Sequence, residues 1–220
     1  MMCYPEVQLK AQVELDSVVG TERLPQMDDI GDLPYIQSII KEVHRFYPTV
    51  PLAIPHATTA NESIEGYFIP EGSTIFMNIY GIYHDEEMYD KPNVFRPERF
   101  LESEYGTKPG ADNTGLRPDF HFGSGRRICP GIHLANNTII MNVMNVLWAF
   151  NLSKSNSDSR NPSMPITLDD FVQGISLVPK PFKCDIQPRS DKHAALIHSA
   201  FSEARSNFFM YEQELAEEDK

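Results

Sequence analysis

The segment between residues 122 and 131 holds the residue types best suited to chemistry. It reads Phe-Gly-Ser-Gly-Arg-Arg-Ile-Cys-Pro-Gly and fits the pattern F-x-x-G-x-R-x-C-x-G. Because a helix is predicted to start directly after Cys129, unpaired N–H groups and the positive end of the helix dipole would favour its thiolate over its thiol. Arg126 and Arg127 add positive charge nearby. The segment therefore predicts a metal-binding thiolate. The alternative is a cysteine packed as a small hydrophobic side chain.

This segment resembles the cysteine-ligand loop of the cytochromes P450, which are haem-thiolate monooxygenases. The resemblance implies that Cys129 is the axial ligand of the iron in haem b (iron protoporphyrin IX). It also implies that Arg127 pairs with a haem propionate and that Phe122 packs beside the thiolate. Gly125 and Gly131 would let the backbone bend sharply and pass close to the flat ligand. An axial thiolate donates electron density to iron and favours O–O cleavage.

Two further motifs resemble the same family. Glu42-Val43-His44-Arg45 places Glu42 and Arg45 on one face of a predicted helix, a pattern that by itself is most often a solvated ion pair. The segment 95–100, Phe-Arg-Pro-Glu-Arg-Phe, resembles the downstream partner of this helix. The resemblance implies that Glu42, Arg45 and Arg99 form a buried structural triad beneath the haem, without a catalytic role.

Other candidate contacts depend on weaker signals. His56 follows an apolar run, and the resemblance implies that it binds a haem propionate; a solvated histidine on a strand is the alternative. The resemblance also places an apolar substrate against two segments, for which plain core packing is equally plausible. The candidates in these segments are Val50, Ala53, Ile54, Val172 and Gly174. Four other histidines are interpreted as structural or solvated: His44, His84, His121 and His133.

The elements that position these residues are predicted from hydrophobic periodicity and from Gly and Pro. Helices are expected over residues 5–19, 35–47, 78–84 and 130–150, the second with an apolar stripe formed by Ile36, Ile39, Ile40, Val43 and Phe46. Short antiparallel strands are expected at 52–56, 67–69 and 74–77, and a hairpin over 166–186 that turns near 178–181. Residues 89–122 and 152–164 are expected to be irregular.

The fold class predicted from these elements is mixed α+β, mainly α, as the C-terminal portion of the cytochrome P450 fold. Residues 1–190 would form the haem-domain portion, and residues 191–220 an acidic, helix-prone tail. Apolar side chains of the tail, Phe208, Phe209 and Met210, are expected to pack on the body.

Composition limits the classes of function. A formal net charge of −12 argues against a general nucleic-acid binder, which needs a basic surface. Three scattered cysteines do not predict a disulfide framework and favour a reducing compartment.

The most apolar stretch, residues 138–150, is too short to span a bilayer, so no membrane anchor is predicted in this chain. The chain alone is expected to be cytoplasmic, whereas the resemblance implies the cytoplasmic face of the endoplasmic reticulum membrane for the longer family members.

The resemblance implies insertion of one oxygen atom of O2 into an apolar organic substrate, as in secondary metabolism, with electrons from an NADPH-dependent reductase. The resemblance covers only the C-terminal portion of the family's length. The sequence holds no A/G-G-x-D/E-T segment, the acid and threonine that deliver protons, so no catalytic residue is predicted here. This chain alone is expected to bind haem weakly or not at all. The alternatives are a non-catalytic remnant that retains the ligand loop and, with little support, a zinc or redox-cysteine protein.

Overall fold

Two sets of residues form separate compact units in the computed structural model. The structure describes residues 1–117, 119–155, 167–172 and 174–218, and of 206, 207 and 210–218 only the backbone. Unit 1 contains residues 1–33, 140–155 and 183–218, and unit 2 contains the described part of 34–139 and 167–182. The helices are α1 Pro5–Val18, α2 Pro34–Phe46, α3 Ile79–Tyr83, α4 Arg99–Glu102, α5 Ile132–Ala149 and α6 Asp191–Glu218. The strands are β1 His56–Ala57, β2 Glu62–Ile64, β3 Tyr67–Ile69, β4 Thr74–Ile75, β5 Phe150–Lys154, β6 Phe171–Val172, β7 Val178–Pro179 and β8 Cys184–Pro188.

Unit 1 is built on an antiparallel pair of β5 and β8. Gln8 of α1 satisfies the free edge of β5: its Nε2 donates to Leu152 O at 3.2 Å, and its Oε1 accepts from Leu152 N at 2.9 Å. A side-chain amide thus takes the place of a neighbouring strand's peptide group. Trp148 is fully buried and donates its Nε1–H to Gly20 O at 2.8 Å. These bonds fix α1 against the end of α5.

Unit 2 is centred on α2, which packs against α3 and α4. Its apolar stripe buries Ile36, Ile39 and Phe46. Val43, predicted to share that stripe, is 40% exposed, so this part of the prediction is wrong. The strands of this unit form three two-stranded antiparallel pairs, β1 with β4, β2 with β3 and β6 with β7. The hairpin of β2 and β3 turns at Glu65-Gly66, where both residues have positive φ (51° and 85°) as a tight two-residue turn requires.

The predicted helices are found, but several strand predictions are wrong. Only His56 of the predicted strand 52–56 is in a strand, and residues 52–55 are irregular, with a turn at 52 and a bend at 54. The expected hairpin over 166–186 is shorter, because β6 pairs with β7 while β8 pairs with β5. The turn predicted near 178–181 is wrong, because Val178–Pro179 is strand β7 itself. The start of the expected loop at 152–164 is strand β5, and residues 156–164 lie outside the described part of the chain.

The acidic tail is helical, as α6. Phe208 and Phe209, expected to pack on the body, are 67% and 54% exposed, so that expectation is wrong for both. The Met210 side chain lies outside the described residues. The division of the chain at residue 190 stays a prediction. The mixed, mainly helical fold class is confirmed.

Candidate functional site

The loop that carries Cys129 closes on itself in unit 2. A short 3-10 helix, Phe120–Phe122, is followed by Gly123 with φ of 88° and by a second short 3-10 helix, Gly125–Arg127. The Cys129 N–H then donates to Phe122 O at 3.0 Å. This bond holds the two ends of the loop together and fixes the cysteine backbone relative to Phe122.

Cys129 is partly buried and is in no disulfide. It lies directly before α5, whose first turn is anchored by Ala135 N–H donating to Gly131 O at 2.9 Å. A Cβ added at Gly131 would lie 3.8 Å from Cys129 Sγ, so a larger side chain here would occupy space beside the sulfur. Cys129 therefore lies at the N-terminal end of an 18-residue helix, where backbone N–H groups point towards the loop.

Glu42, Arg45 and Arg99 are brought together by the structure and are almost completely buried. Arg45 lies on the same face of α2 as Glu42 and binds it in a fork, with Nε 2.8 Å from Oε2 and Nη2 2.9 Å from Oε1. Arg99 Nε lies 3.1 Å from Glu42 Oε2, close enough for an ion pair but without the alignment of a hydrogen bond. The Arg96 backbone N–H also donates to Glu42 Oε1 at 2.8 Å. One carboxylate therefore connects α2 to the segment that leads into α4.

Backbone carbonyl groups compensate the second positive charge of this network. Arg99 donates from Nη1 to Asp90 O at 3.0 Å and from Nη2 to Val94 O at 3.1 Å. Arg45 donates to Pro92 O at 2.9 Å and to Tyr83 O at 2.7 Å. We call residues 90–94, which contribute three of these four acceptors, the carbonyl cradle. Because a buried charge is tolerated only with such partners, both arginines depend on these carbonyl groups as well as on Glu42.

The predicted propionate contacts are on exposed parts of unit 2. Arg127 is exposed in the second short 3-10 helix, and His56 is exposed in β1, where it is paired with Ile75. Neither side chain has a hydrogen bond or ion pair in the described structure that would compete for a carboxylate ligand. Both side chains therefore remain able to bind an anionic group.

The two segments predicted to line a substrate pocket are joined by the structure. Leu177 N–H donates to Thr49 O at 2.8 Å, and the rings of Tyr47 and Phe171 lie 5.2 Å apart. The five candidates in and beside these segments are part-buried or exposed: Val50 and Ala53 are part-buried, while Ile54, Val172 and Gly174 are exposed. Ala53 has φ of 54°, which turns the first segment sharply. Plain core packing therefore does not describe Ile54 or Val172, which are 62% and 54% exposed.

A pair of stacked histidines beside the cysteine loop was not predicted as a functional feature. His44 of α2 and His121 of the loop lie with ring centroids 3.9 Å apart and an interplanar angle of 13°. Burial lowers the pKa of His44 to about 4 and that of His121 to about 3. Both rings are therefore neutral at neutral pH. The signal available in the sequence was only that one histidine falls inside the E-x-x-R motif and another directly precedes Phe122.

The donor set of the loop fits a haem. Among the described residues, no group of three or more His, Cys, Asp or Glu side chains could hold a metal ion. A loop that offers one cysteine sulfur would suit an iron whose remaining ligands come from a bound cofactor and not from the protein. Unit 2 also exposes large apolar side chains that a flat apolar ligand and further protein could cover, among them Leu52, Ile54, Phe76, Ile128 and Ile175.

Comparison with known proteins defines the class to which this fold and loop belong. The cytochrome P450 family model matches residues 1–185, and the chain is a member of the cytochrome P450 family. A cytochrome P450 monooxygenase of Armillaria gallica is 46% identical over 215 residues, which cover 97% of this chain and 41% of the relative. One from Rhodocybe pseudopiperita is 43% identical over 205 residues, covering 92% of this chain and 39% of the relative. The chain thus spans about two fifths of the length of these relatives.

A solved structure agrees with the sequence comparisons. A zebrafish cytochrome P450 with progesterone aligns with a TM-score of 0.70 and 31% identity, over 86% of this chain and 39% of that chain. The predicted family is confirmed, and haem is the cofactor that the family implies. None of the helices within the described residues has both the length and the apolar character needed to cross a membrane.

Proposed function

We propose that this chain is the haem-ligating portion of a cytochrome P450 monooxygenase, with the Cys129 thiolate as the axial iron ligand. The observation that carries the proposal is the closed loop in which Cys129 N–H donates to Phe122 O at the start of α5. When bound, the haem supplies the oxygen-activating chemistry, by which one atom of O2 is inserted into an apolar organic substrate. The name monooxygenase on the fungal relatives favours this proposal over a non-catalytic remnant.

The chain's own residues hold the ligand and its surroundings. Cys129 at the start of α5 would ligate the iron, and Phe122 would pack beside the sulfur and exclude water. Arg127 and His56 bind the haem propionates, while Gly125 and Gly131 keep side chains away from the ring. Glu42, Arg45 and Arg99 hold the carbonyl cradle against α2 and take no part in chemistry.

Substrate and partners follow from the same proposal. An apolar substrate contacts the joined segments around Val50, Ala53, Ile54, Val172 and Gly174. The zebrafish relative was solved with progesterone, an apolar molecule, which supports a substrate of this kind. The electrons come from an NADPH-dependent reductase. A place in secondary metabolism, and action of the whole protein at the cytoplasmic face of the endoplasmic reticulum, belong to this proposal by resemblance to the longer family members.

Reconstitution with haemin tests the ligand assignment. The chain is titrated with haemin, reduced, and exposed to carbon monoxide, and the difference spectrum is recorded for the unmodified chain, Cys129→Ala and Cys184→Ala. We expect weak binding, with a thiolate-type Soret band that is lost in Cys129→Ala and kept in Cys184→Ala. The matched control removes another partly buried free cysteine, in unit 1. A band that persists without Cys129, or no thiolate-type band at saturating haemin, would contradict the assignment.

A further inference from the structure

The stacked pair of His44 and His121 connects α2 to the cysteine loop. His121 also contacts Phe122, with ring centroids 4.3 Å apart, and His44 reaches the same ring at 6.1 Å. Phe122 is the residue whose carbonyl accepts the Cys129 N–H. The pair is therefore one residue away from the bond that closes the loop.

Three of the four ring nitrogens of this pair are buried without hydrogen-bond partners. His44 Nε2, His121 Nδ1 and His121 Nε2 have no partner within the described protein. Buried nitrogen atoms without hydrogen-bond partners destabilise the packing of the two rings, and the ring stacking compensates this cost. Protonation would place a positive charge where water cannot solvate it. The two rings stack as neutral aromatic groups, and a second positive charge on facing rings would repel the first.

Charged and titratable groups around the pair do not supply a counter-ion that would hold it protonated. In the described part of the chain, Asp119 is the acidic group that acts favourably on a charged His44, and its effect is smaller than that of burial. A small cavity beside His44 is lined by further titratable groups from α2, α3 and the irregular segment: Lys41, Arg45, Tyr83, Tyr89, Glu104, Tyr105 and Arg117. Three of these carry positive charge and only Glu104 carries negative charge at neutral pH.

We propose that the neutral His44–His121 stack positions Phe122, and through it the Cys129 backbone, and that protonation of the stack releases the loop. The pair is a positioning element and touches neither the iron nor the substrate. This inference rests on the proposed function for its purpose, since an ordered loop is what presents the thiolate to haem. The ring contacts and the hydrogen bond that support the positioning role are present in the chain without haem.

Hydrogen exchange on the haem-free chain tests the proposal directly. The Cys129 amide, or the peptide covering residues 122–131, is followed from pH 7 to pH 4 and corrected for the intrinsic pH dependence of exchange. In the unmodified chain, we expect protection to fall at least tenfold over this range. In the double variant His44→Phe/His121→Phe, which keeps two stacked rings that cannot titrate, protection should change less than threefold. His133→Gln, which removes an exposed histidine on α5, should behave like the unmodified chain.

A second measurement needs no variant and covers the case in which the double variant does not fold. The ring resonances of His44 and His121 are followed by NMR against pH in the unmodified chain. Both should titrate below pH 5, together with a shift of the Cys129 amide resonance. Titration of either ring near pH 6.5, or equal loss of protection in the unmodified chain and the double variant, would overturn the proposal.

The haemin experiment separates this inference from the proposed function. If protection depends on the stack but no thiolate-type band forms, the positioning role stands and the haem assignment fails. If the band forms through Cys129 while protection does not depend on the stack, the haem assignment stands and the positioning role is wrong.

Discussion

Arg99 Nε lies 3.1 Å from Glu42 Oε2, and each of these side chains is no more than 1% exposed. The same carboxylate accepts two hydrogen bonds from Arg45 and one from the Arg96 backbone. A single buried anion thus compensates two buried cations and fixes one peptide group. The remaining donors of both guanidinium groups are directed at backbone carbonyls, so neither cation depends on the carboxylate alone.

Glu42→Gln should strongly destabilise the chain. The change leaves two buried guanidinium groups without their anion, and we expect the free energy of unfolding to fall by about 3–5 kcal/mol. Urea denaturation followed by circular dichroism measures this loss. The matched control is Glu102→Gln, which removes the exposed partner of Arg96 and should cost about 0–1 kcal/mol. Similar losses in the two variants would show that the buried network does not stabilise unit 2.

Gly106→Ala should disturb the same network by steric contact. Gly106 has φ of 69°, and a Cβ built there would lie 3.0 Å from Arg99 Cγ, Arg99 Cδ and a ring carbon of Phe100. Gly110→Ala is the control, because Gly110 has a similar φ of 81° and nothing within 4 Å of the added atom. In both variants the free energy of unfolding should fall by about 1–2 kcal/mol, because alanine is strained in the left-handed conformation. In Gly106→Ala the free energy of unfolding should fall by about 1–3 kcal/mol more, because the added methyl group overpacks this site, as measured in the same denaturation assay. Equal losses would place the cost in the backbone alone.

Alkaline pH should destabilise unit 2 through two buried tyrosines. Burial raises the pKa of Tyr89 to about 12, and it raises the pKa of Tyr83 as well. In the unfolded chain a tyrosine ionises near pH 10, so the unfolded state loses protons first. The contribution of these tyrosines to the free energy of unfolding is fully present below pH 10, and it is lost as the pH rises through their pKa values in the folded state. Tyr89→Phe should weaken this alkaline loss, measured by denaturant midpoints between pH 9 and pH 12. Tyr67→Phe, which alters an exposed ring on β3, serves as the control, and an unchanged profile in Tyr89→Phe would contradict the prediction.

Trp148→Phe should destabilise unit 1. The tryptophan is fully buried, and its loss leaves a space and removes the donor to Gly20 O. We expect a decrease of about 1–3 kcal/mol in the free energy of unfolding, measured by far-UV circular dichroism because the variant has no tryptophan. Val146→Ala, at a 39% exposed position on the same helix, should change stability far less. An equally small effect at Trp148 would argue against the importance of this bond.

The elements that are determined by residues close together in the chain could be predicted from the sequence. The helix at Pro34–Phe46 follows from the spacing of its apolar residues and from Pro48, and the turn at Glu65-Gly66 follows from residues that tolerate positive φ. The pairing of β5 with β8 could not be predicted, because the Ser- and Asn-rich sequence near β5 favours a loop and the paired residues lie 30 to 38 positions apart. The side-chain amide of Gln8 at the strand edge carries no sequence signal at all.

The site was predictable to a similar degree. Motif spacing placed Glu42, Arg45 and Arg99 in one network, and the structure brings them together. The histidine stack escaped prediction because each ring is uninformative alone. His44 and His121 form a functional candidate only because their rings stack with centroids 3.9 Å apart, and this contact cannot be predicted from hydrophobic periodicity.

The carbonyl cradle has a consequence for the order in which the chain folds. Its carbonyl groups at residues 90, 92 and 94 are oriented by cations that α2 and α4 must deliver. The Glu42–Arg45 pair is three residues apart and can form as soon as α2 does, whereas the cradle needs closure of a loop of some fifty residues. We therefore expect α2 to act as a template and residues 90–94 to become ordered late. In a pulse-labelling experiment, the amides of α2 would be protected before those that follow Tyr89.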